Sequence, residues 1–188
     1  MNSTSGHAPD KHALSDEERR RYARQLSLPE VGPEGQLRLK AAKVLIIGVG
    51  GLGSPAAIYL AAAGIGRLGL ADADTVEHSN LHRQILHGAD SVGTPKLLSA
   101  RDSIRRLNPH TEVVLHEGRV DAARVRKLIA GYDVIVDASD NFPTRYTVSD
   151  ACVLEGKPYV YGSVLRFEGQ SSVFDARRGP CYRCLYPE

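Results

Sequence analysis

The sequence predicts an α/β fold: a mostly parallel sheet with helices on both faces and a short antiparallel extension near the C-terminus. Three observations carry that reading. Apolar, β-branched runs alternate with helix-length segments along the chain. A glycine cluster, Gly48-Val49-Gly50-Gly51-Leu52-Gly53, joins the run Lys43-Val44-Leu45-Ile46-Ile47 to the alanine-rich stretch Ser54 to Ala63. The next apolar run, Arg67 to Ala71, ends at Asp72, nineteen positions after Gly53. Strand, glycine turn, helix, strand and acid in that order read as a Rossmann-like nucleotide-binding unit. Glycine lets the backbone turn tightly, and the helix start offers unpaired N–H groups to phosphate. The acid stands where a ribose hydroxyl would be held.

The elements follow in order. Residues 1–15 are polar and read as a flexible leader; residues 16–188 read as one nucleotide-binding domain. Ser15-Asp16-Glu17-Glu18 is a capping box opening a helix through Leu26. Leu28 to Gly35, with Pro29, Gly32 and Pro33, predicts a turn, and a short helix then leads to the first strand. Asp74 to His87 is a polar connection. A helix is expected from Pro95, as its first residue, to Leu107, where Asn108-Pro109 stops it. Thr111 to His116 alternates like a strand, Asp121 to Ala130 is helical, and Asp133 to Asp137 is a buried strand. Phe142 to Leu154 predicts a helix and Lys157 to Tyr161 a strand, and Val164 to Ala176 predicts two short antiparallel strands.

Bulk properties narrow the function classes. A chain of 188 residues with 42% hydrophobic and 24% charged content fits one globular domain with a proper core. A net charge of +2 gives no general case for nucleic acid or an anionic membrane. No run approaches the roughly 18 apolar residues of a membrane span. Three cysteines, Cys152, Cys181 and Cys184, make no disulfide framework, so a cytoplasmic, reducing setting is the default.

Four segments are expected around one pocket beyond the strand ends: Asp72, the stretch Ser79-Asn80-Leu81-His82-Arg83-Gln84, Lys96, and Asp140-Asn141. Holding a dinucleotide needs little beyond helix N–H groups. Breaking a phosphate ester uses cations, and Arg83 and Lys96 can neutralise a triphosphate. Asp140 is a hard oxygen ligand suited to Mg²⁺. Asn80 can donate or accept near the same oxygens. The constellation reads as ATP bound for cleavage. Each residue also has a plainer reading: a turn former, a surface cation, a helix cap.

The chain resembles the ThiF, MoeB and HesA adenylyltransferases, relatives of the ubiquitin-activating enzymes. The resemblance rests on Arg21-Tyr22-Ala23-Arg24-Gln25, Gly48 to Gly53, Asp72-Ala73-Asp74, Ser79 to Gln84 and Gly93-Thr94-Pro95-Lys96. It continues through Asp137-Ala138-Ser139-Asp140-Asn141, Arg166 to Gln170 and Cys181-Tyr182-Arg183-Cys184. It implies that ATP and Mg²⁺ activate the C-terminal glycine carboxylate of a ubiquitin-like sulfur carrier as an acyl-adenylate, with pyrophosphate released. It also implies the roles. Gly48, Gly50, Gly51 and Gly53 shape the phosphate turn, and Asp72 holds ribose. Ser79, Asn80, Leu81, His82, Arg83 and Lys96 belong to the nucleotide site, with Arg83 stabilising the transition state. Asp140 coordinates Mg²⁺ and Asn141 lines the pocket. Arg24 reaches the ATP of a neighbouring subunit, which implies a homodimer. The tail Cys184 to Glu188 is most like members that also serve a rhodanese-type sulfurtransferase.

In the family, Cys181-x-x-Cys184 is half of a structural four-cysteine zinc site whose second half lies further on. The chain ends at Glu188, so it is read as lacking the C-terminal part of the family domain, and two thiolates do not close a tetrahedral site: zinc is lost with the missing part, another group completes the site, or the pair is free thiol or disulfide. A redox role is disfavoured because the pair is expected to follow two short strands without opening a helix. Cys152 reads as a small buried residue. His78, His82 and His87 share one loop without metal spacing and read as solvated or hydrogen-bonded. Three rivals remain. An NAD-dependent oxidoreductase would not need Arg83, Lys96 or Asp140. A nucleotide- or carrier-binding module impaired by truncation would bind without releasing pyrophosphate. A relative acting on another carboxylate, as the tRNA-threonylcarbamoyladenosine cyclases do, is disfavoured by the cysteine pair.

Overall fold

The computed structural model describes residues 13–187, and residues 1–12 of the expected leader lie outside them. Leu14 is buried and Ser15 caps the first helix, so residues 13–15 belong to the folded body.

Six strands form one sheet: β1 (Lys43–Ile47), β2 (Arg67–Asp72), β3 (Glu112–Glu117), β4 (Val134–Asp137), β5 (Tyr159–Leu165) and β6 (Glu168–Phe174). Their order is β3-β2-β1-β4-β5-β6, parallel except for the antiparallel β5–β6 pair. The chain steps outward from β1 to β2 to β3 and returns to the other side of β1 for β4. That reversal opens a crevice beyond the carboxyl ends of β1 and β4.

The helices are α1 (Asp16–Arg21), α2 (Ala23–Leu26), α3 (Gly32–Ala41), α4 (Gly53–Ala63), α5 (Lys96–Leu107), α6 (Ala122–Ala130), α7 (Phe142–Glu155) and α8 (Tyr182–Leu185). Alternate side chains of β1 feed opposite cores, as a pleat of period two requires. Val44 and Ile46 pack with Ala57, Ala61, Leu97 and Ile104 of α4 and α5. Leu45 and Ile47 pack with Val125, Ile129, Val148 and Tyr182 of α6, α7 and α8. Burial on both faces explains the unbroken apolar run in β1.

The structure corrects several boundaries. The first helix breaks at Tyr22, whose φ of −97° and ψ of 16° swing its ring into the core. There its hydroxyl accepts from Asn108 Nδ2 at 2.8 Å. The expected turn to Gly35 is shorter, because α3 begins at Gly32 and Pro33 fits its first turn. Pro95 is the N-cap of α5, one place before the helix, with an extended ψ of 133°. The C-terminal extension is one hairpin. β5 pairs in parallel with β4 at its start, runs on to Leu165, and turns through Arg166 and Phe167 into β6.

Candidate functional site

A cleft of ≈ 670 Å³ lies beyond the carboxyl ends of β1, β2 and β4. Gly48, Gly50, Gly51, Asp72, Arg83, Lys96, Asp140 and Asn141 all line it. Helices α4, α5 and α7 begin around it, so three positive dipole ends face one volume, a setting for an anion.

The turn after β1 needs glycine at two points. Gly48 has a φ of +86°, and a Cβ on Gly53 would lie 1.8 Å from the Gly48 carbonyl oxygen. The turn is pinned by Asp72, whose Oδ2 accepts the Val49 N–H at 2.8 Å while Oδ1 accepts the Asp74 N–H at 2.8 Å. The carboxylate thus joins the glycine turn to the loop after β2.

Lys96 opens α5, and its Nζ lies 2.9 Å from Asp74 Oδ2. The lysine side chain is only 7% exposed, against 71% for its partner. Backbone bonds from Lys96 N–H to Asp74 O and from Val76 N–H to Thr94 O, each 2.9 Å, zip the two loops together. Arg83 lies across the glycine turn: a Cβ on Gly51 would stand 3.6 Å from its Cδ. Its Nη1 donates to the Ser79 carbonyl at 3.1 Å and lies 3.3 Å from His82 Nε2. No acid pairs with Arg83 among the described residues.

The β4 side is set by Asp137. Its Oδ1 accepts the Ser139 N–H at 2.9 Å and its Oδ2 the Tyr159 hydroxyl at 2.7 Å, which bends the chain toward Asp140. Burial, with Asp137 beside it, pushes the Tyr159 hydroxyl pKa far up, so that hydroxyl stays a donor. Asn141 caps α7 through the Thr144 N–H at 3.0 Å, and its Nδ2 lies 3.4 Å from Asp140 Oδ1. Asn141 thus caps α7 and lines the cleft at the same time. Arg145 donates to the Ser139 carbonyl at 3.1 Å and stacks on Phe142 and Tyr161.

Not every expected residue reaches the cleft. Ser79, Asn80, Leu81 and His82 stay out of its lining. They form a tight turn in which Asn80 Oδ1 accepts the Glu77 N–H at 3.3 Å, so the amide oxygen is engaged in its own loop. Gly53 is buried at the helix start. Arg24 is exposed on α2, away from the cleft of its own chain. Its neighbour Gln25 binds the Ala63 carbonyl at the far end of α4, about 16 Å of helix from the glycine turn. Gln84, Asp74 and Arg119 line the cleft without an assigned role from the sequence. Gln84 is buried with an unpartnered Oε1; it ends the stretch Ser79 to Gln84 expected at the pocket, whereas Arg119, after β3, had only its strand-end position as a signal.

The donor set fits magnesium carried by a nucleotide. Asp140 is exposed and has no cation partner among the described residues, and one carboxylate plus phosphate oxygens suffices for Mg²⁺. Among the described residues no group of three or more acids, histidines or cysteines could hold a metal unaided. The Cys181 and Cys184 sulfurs are 3.6 Å apart, near the roughly 3.8 Å edge of a tetrahedral zinc–thiolate site, and two thiolates are half of the four ligands such a site takes. Contrary to expectation, Cys181 does open a helix, as the N-cap of α8. Burial raises its pKa, but hydrogen bonds from the Cys184 backbone and thiol outweigh that and hold it below the usual thiol value.

Residues 22–188 match the model of the ThiF family. The chain belongs to the ThiF family. It is 58% identical over 179 residues to "Adenylyltransferase and sulfurtransferase MOCS3" of Bos taurus, covering 95% of this chain and 39% of that protein. It is 54% identical over 168 residues to the "SAMP-activating enzyme E1" of Haloferax volcanii, covering 89% of this chain and 62% of that protein. Among solved structures it is similar to E. coli tRNA N6-threonylcarbamoyladenosine dehydratase, TcdA, in complex with ATP: TM-score 0.73, 31% identity, 78% of this chain and 60% of that one. This ThiF-family chain thus spans about two fifths of its mammalian relative's length. Relatives named adenylyltransferases favour ATP chemistry over the NAD-dependent alternative.

Proposed function

We propose that this ThiF-family chain carries the ATP site of an adenylyltransferase that activates the C-terminal glycine carboxylate of a ubiquitin-like sulfur carrier. The observation that carries the proposal is the gathering of Arg83, Lys96 and Asp140 around the glycine turn in one cleft. The attacking carboxylate is already an anion, so the work is alignment and charge neutralisation. Asp72 meets the ribose, and the α4 N-terminus with Gly50 and Gly51 meets the phosphates. Lys96 leaves Asp74 for the triphosphate, and Arg83 offsets charge developing as pyrophosphate departs. Asp140 would hold Mg²⁺, which would screen the phosphate oxygens.

Arg24 serves the cleft of a second subunit in a homodimer, which its distance from its own cleft supports. Cys181 and Cys184 form half of a zinc site, and a rhodanese-type sulfurtransferase is the onward partner, as the bovine relative's name suggests. Three unpaired cysteines suit a cytoplasmic setting, and no helix among the described residues is long and apolar enough to cross a membrane. The test incubates the protein with ATP, Mg²⁺ and carriers ending in Gly-Gly. Pyrophosphate release and a carrier–AMP adduct by mass are expected. ATP binding with neither product would sink the activity and leave a nucleotide-binding module.

A further inference from the structure

We propose that His87 is a positioning residue for the phosphate-binding turn: a buried imidazole that clamps the glycine loop to the helix bearing Lys96. The inference rests on the adenylation reading for its effect on ATP, and on geometry alone for its effect on the loop. His87 closes the polar connection after β2 and is 6% exposed, outside the lining of the cleft. Its Nε2 lies 3.1 Å from the Val49 carbonyl oxygen and its Nδ1 lies 3.0 Å from Ser99 Oγ. A carbonyl only accepts, so Nε2 carries the hydrogen, and Nδ1 is then left to accept from the serine hydroxyl. One neutral tautomer satisfies both contacts.

The partners give the clamp its meaning. Val49 sits between Gly48 and Gly50, and Ser99 lies three residues, nearly one helical turn, after Lys96. The Val49 peptide is gripped from three sides. Asp72 takes its N–H, while Ser54 Oγ, at 3.1 Å, and His87 donate to its carbonyl. Asp72 belongs to β2, Ser54 to α4, and His87 reaches α5. Gly50 and Gly51 have wide conformational freedom of their own, so the turn's shape depends on the anchored residue between the glycines. A triphosphate spanning the turn and Lys96 needs those two elements at a fixed separation. His87 with Ser99 is the only side-chain bridge from the Val49 carbonyl to α5 among the described residues. Burial lowers the ring's pKa and outweighs the hydrogen bond to Val49, which pulls the other way; Lys96 adds a smaller push downward and Asp72 a still smaller one upward. A protonated ring would donate to Ser99 Oγ, so the serine hydroxyl would have to turn its hydrogen away.

The test compares His87→Leu with His87→Gln, whose amide nitrogen can stand where Nε2 does and donate to Val49. Amide hydrogen exchange of the segment 49–51, in which the Val49 N–H bonded to Asp72 is the protected amide, reads the clamp directly, and ATP–pyrophosphate exchange reads its consequence. In His87→Leu, exchange at 49–51 should quicken about tenfold or more, and kcat/KM for ATP should fall about 10–100-fold, as for a misplaced aligning group. The KM for the carrier should hold. His87→Gln should recover most of both losses. Parent-like protection at 49–51 in His87→Leu would overturn the proposal, as would a glutamine variant as impaired as the leucine one. Should His87→Leu not fold, Ser99→Ala decides by the same amides: faster exchange supports the clamp and unchanged exchange refutes it. A parent protein without pyrophosphate exchange would end the adenylation reading, while the amides of 49–51 would still judge His87.

Discussion

At the carboxyl ends of β1 and β4, Arg83, Asp140 and Asn141 are exposed, and the groups around them are held mainly by backbone contacts and caps. Around α8 the construction is the reverse. Tyr182 is fully buried and meets Tyr146, Tyr159, Tyr161, Phe174 and Tyr186 ring to ring, at centroid distances from 4.9 to 6.2 Å. Offset and edge-on ring pairs add stabilisation beyond burial alone. One region exposes polar side chains around a cleft; the other hides aromatic bulk in the core. They meet at a seam: Asp137 bonds both the Asp140 loop and Tyr159, and Arg145 bonds Ser139 while stacking on Tyr161.

Substitutions can break or sharpen this contrast. The largest effect is expected from Tyr182→Ala, about 3–5 kcal/mol of stability by denaturant titration. The fraction that remains folded should bind ATP normally; weakened binding would show that the aromatic region reaches into the cleft. Arg83→Ala should cost about 100–1,000-fold in carrier-dependent pyrophosphate exchange with an unchanged melting temperature. A variant of near-normal activity would remove the arginine from the chemistry. Arg145→Met, on the seam, should do some of each: about 1–3 kcal/mol of stability and a measurable drop in exchange, because the Ser139 carbonyl loses its donor. If only one of the two moves, the seam belongs to that side.

Smaller effects follow from ionisation. In native protein at neutral pH, an alkylating probe read by mass should reach Cys181 well before Cys152, whose thiol burial and nearby Asp137 push up to about 12. Equal rates would contradict the burial of Cys152. His87 should give the gentlest signal. Its folded pKa is depressed, chiefly by burial, so below about 6.5 the unfolded chain binds the extra proton and the folded one resists it. Its contribution is therefore whole above that pH and fades as pH falls toward the folded value. A His87→Gln protein should show a flatter stability profile across that window in denaturant titrations.

Much of this was legible in the sequence, for physical reasons. β1 announces itself because a strand buried on both faces must be apolar throughout. The glycine turn is visible because Gly48 and Gly53 have no substitute at those backbone positions. Asp72, Lys96 and Asp140 follow from the strand-end rule, which topology obeys here. What stayed hidden depends on contacts distant in sequence. Tyr22 breaks a helix because Asn108, far along the chain, offers its hydroxyl a partner. Asn80 turns away because its own loop claims its amide oxygen, a local choice that residue type alone does not reveal. Arg119 and Gln84 enter the cleft through the path of their loops. His87 read as one more hydrogen-bonded histidine; only the pairing of both ring nitrogens shows what it connects.

The hairpin of β5 and β6 carries a colloidal consequence. Among the described residues β6 pairs only with β5, so its outer row of peptide groups is unmatched. On the same hairpin Val164 and Leu165 of β5, Phe167 of the turn and Val173 of β6 stand at 60%, 73%, 105% and 67% exposure. Greasy side chains along an open ribbon edge are a template for self-association. Turbidity of concentrated stocks should fall when Phe167 becomes lysine, since the charge would repel a second ribbon arriving edge to edge.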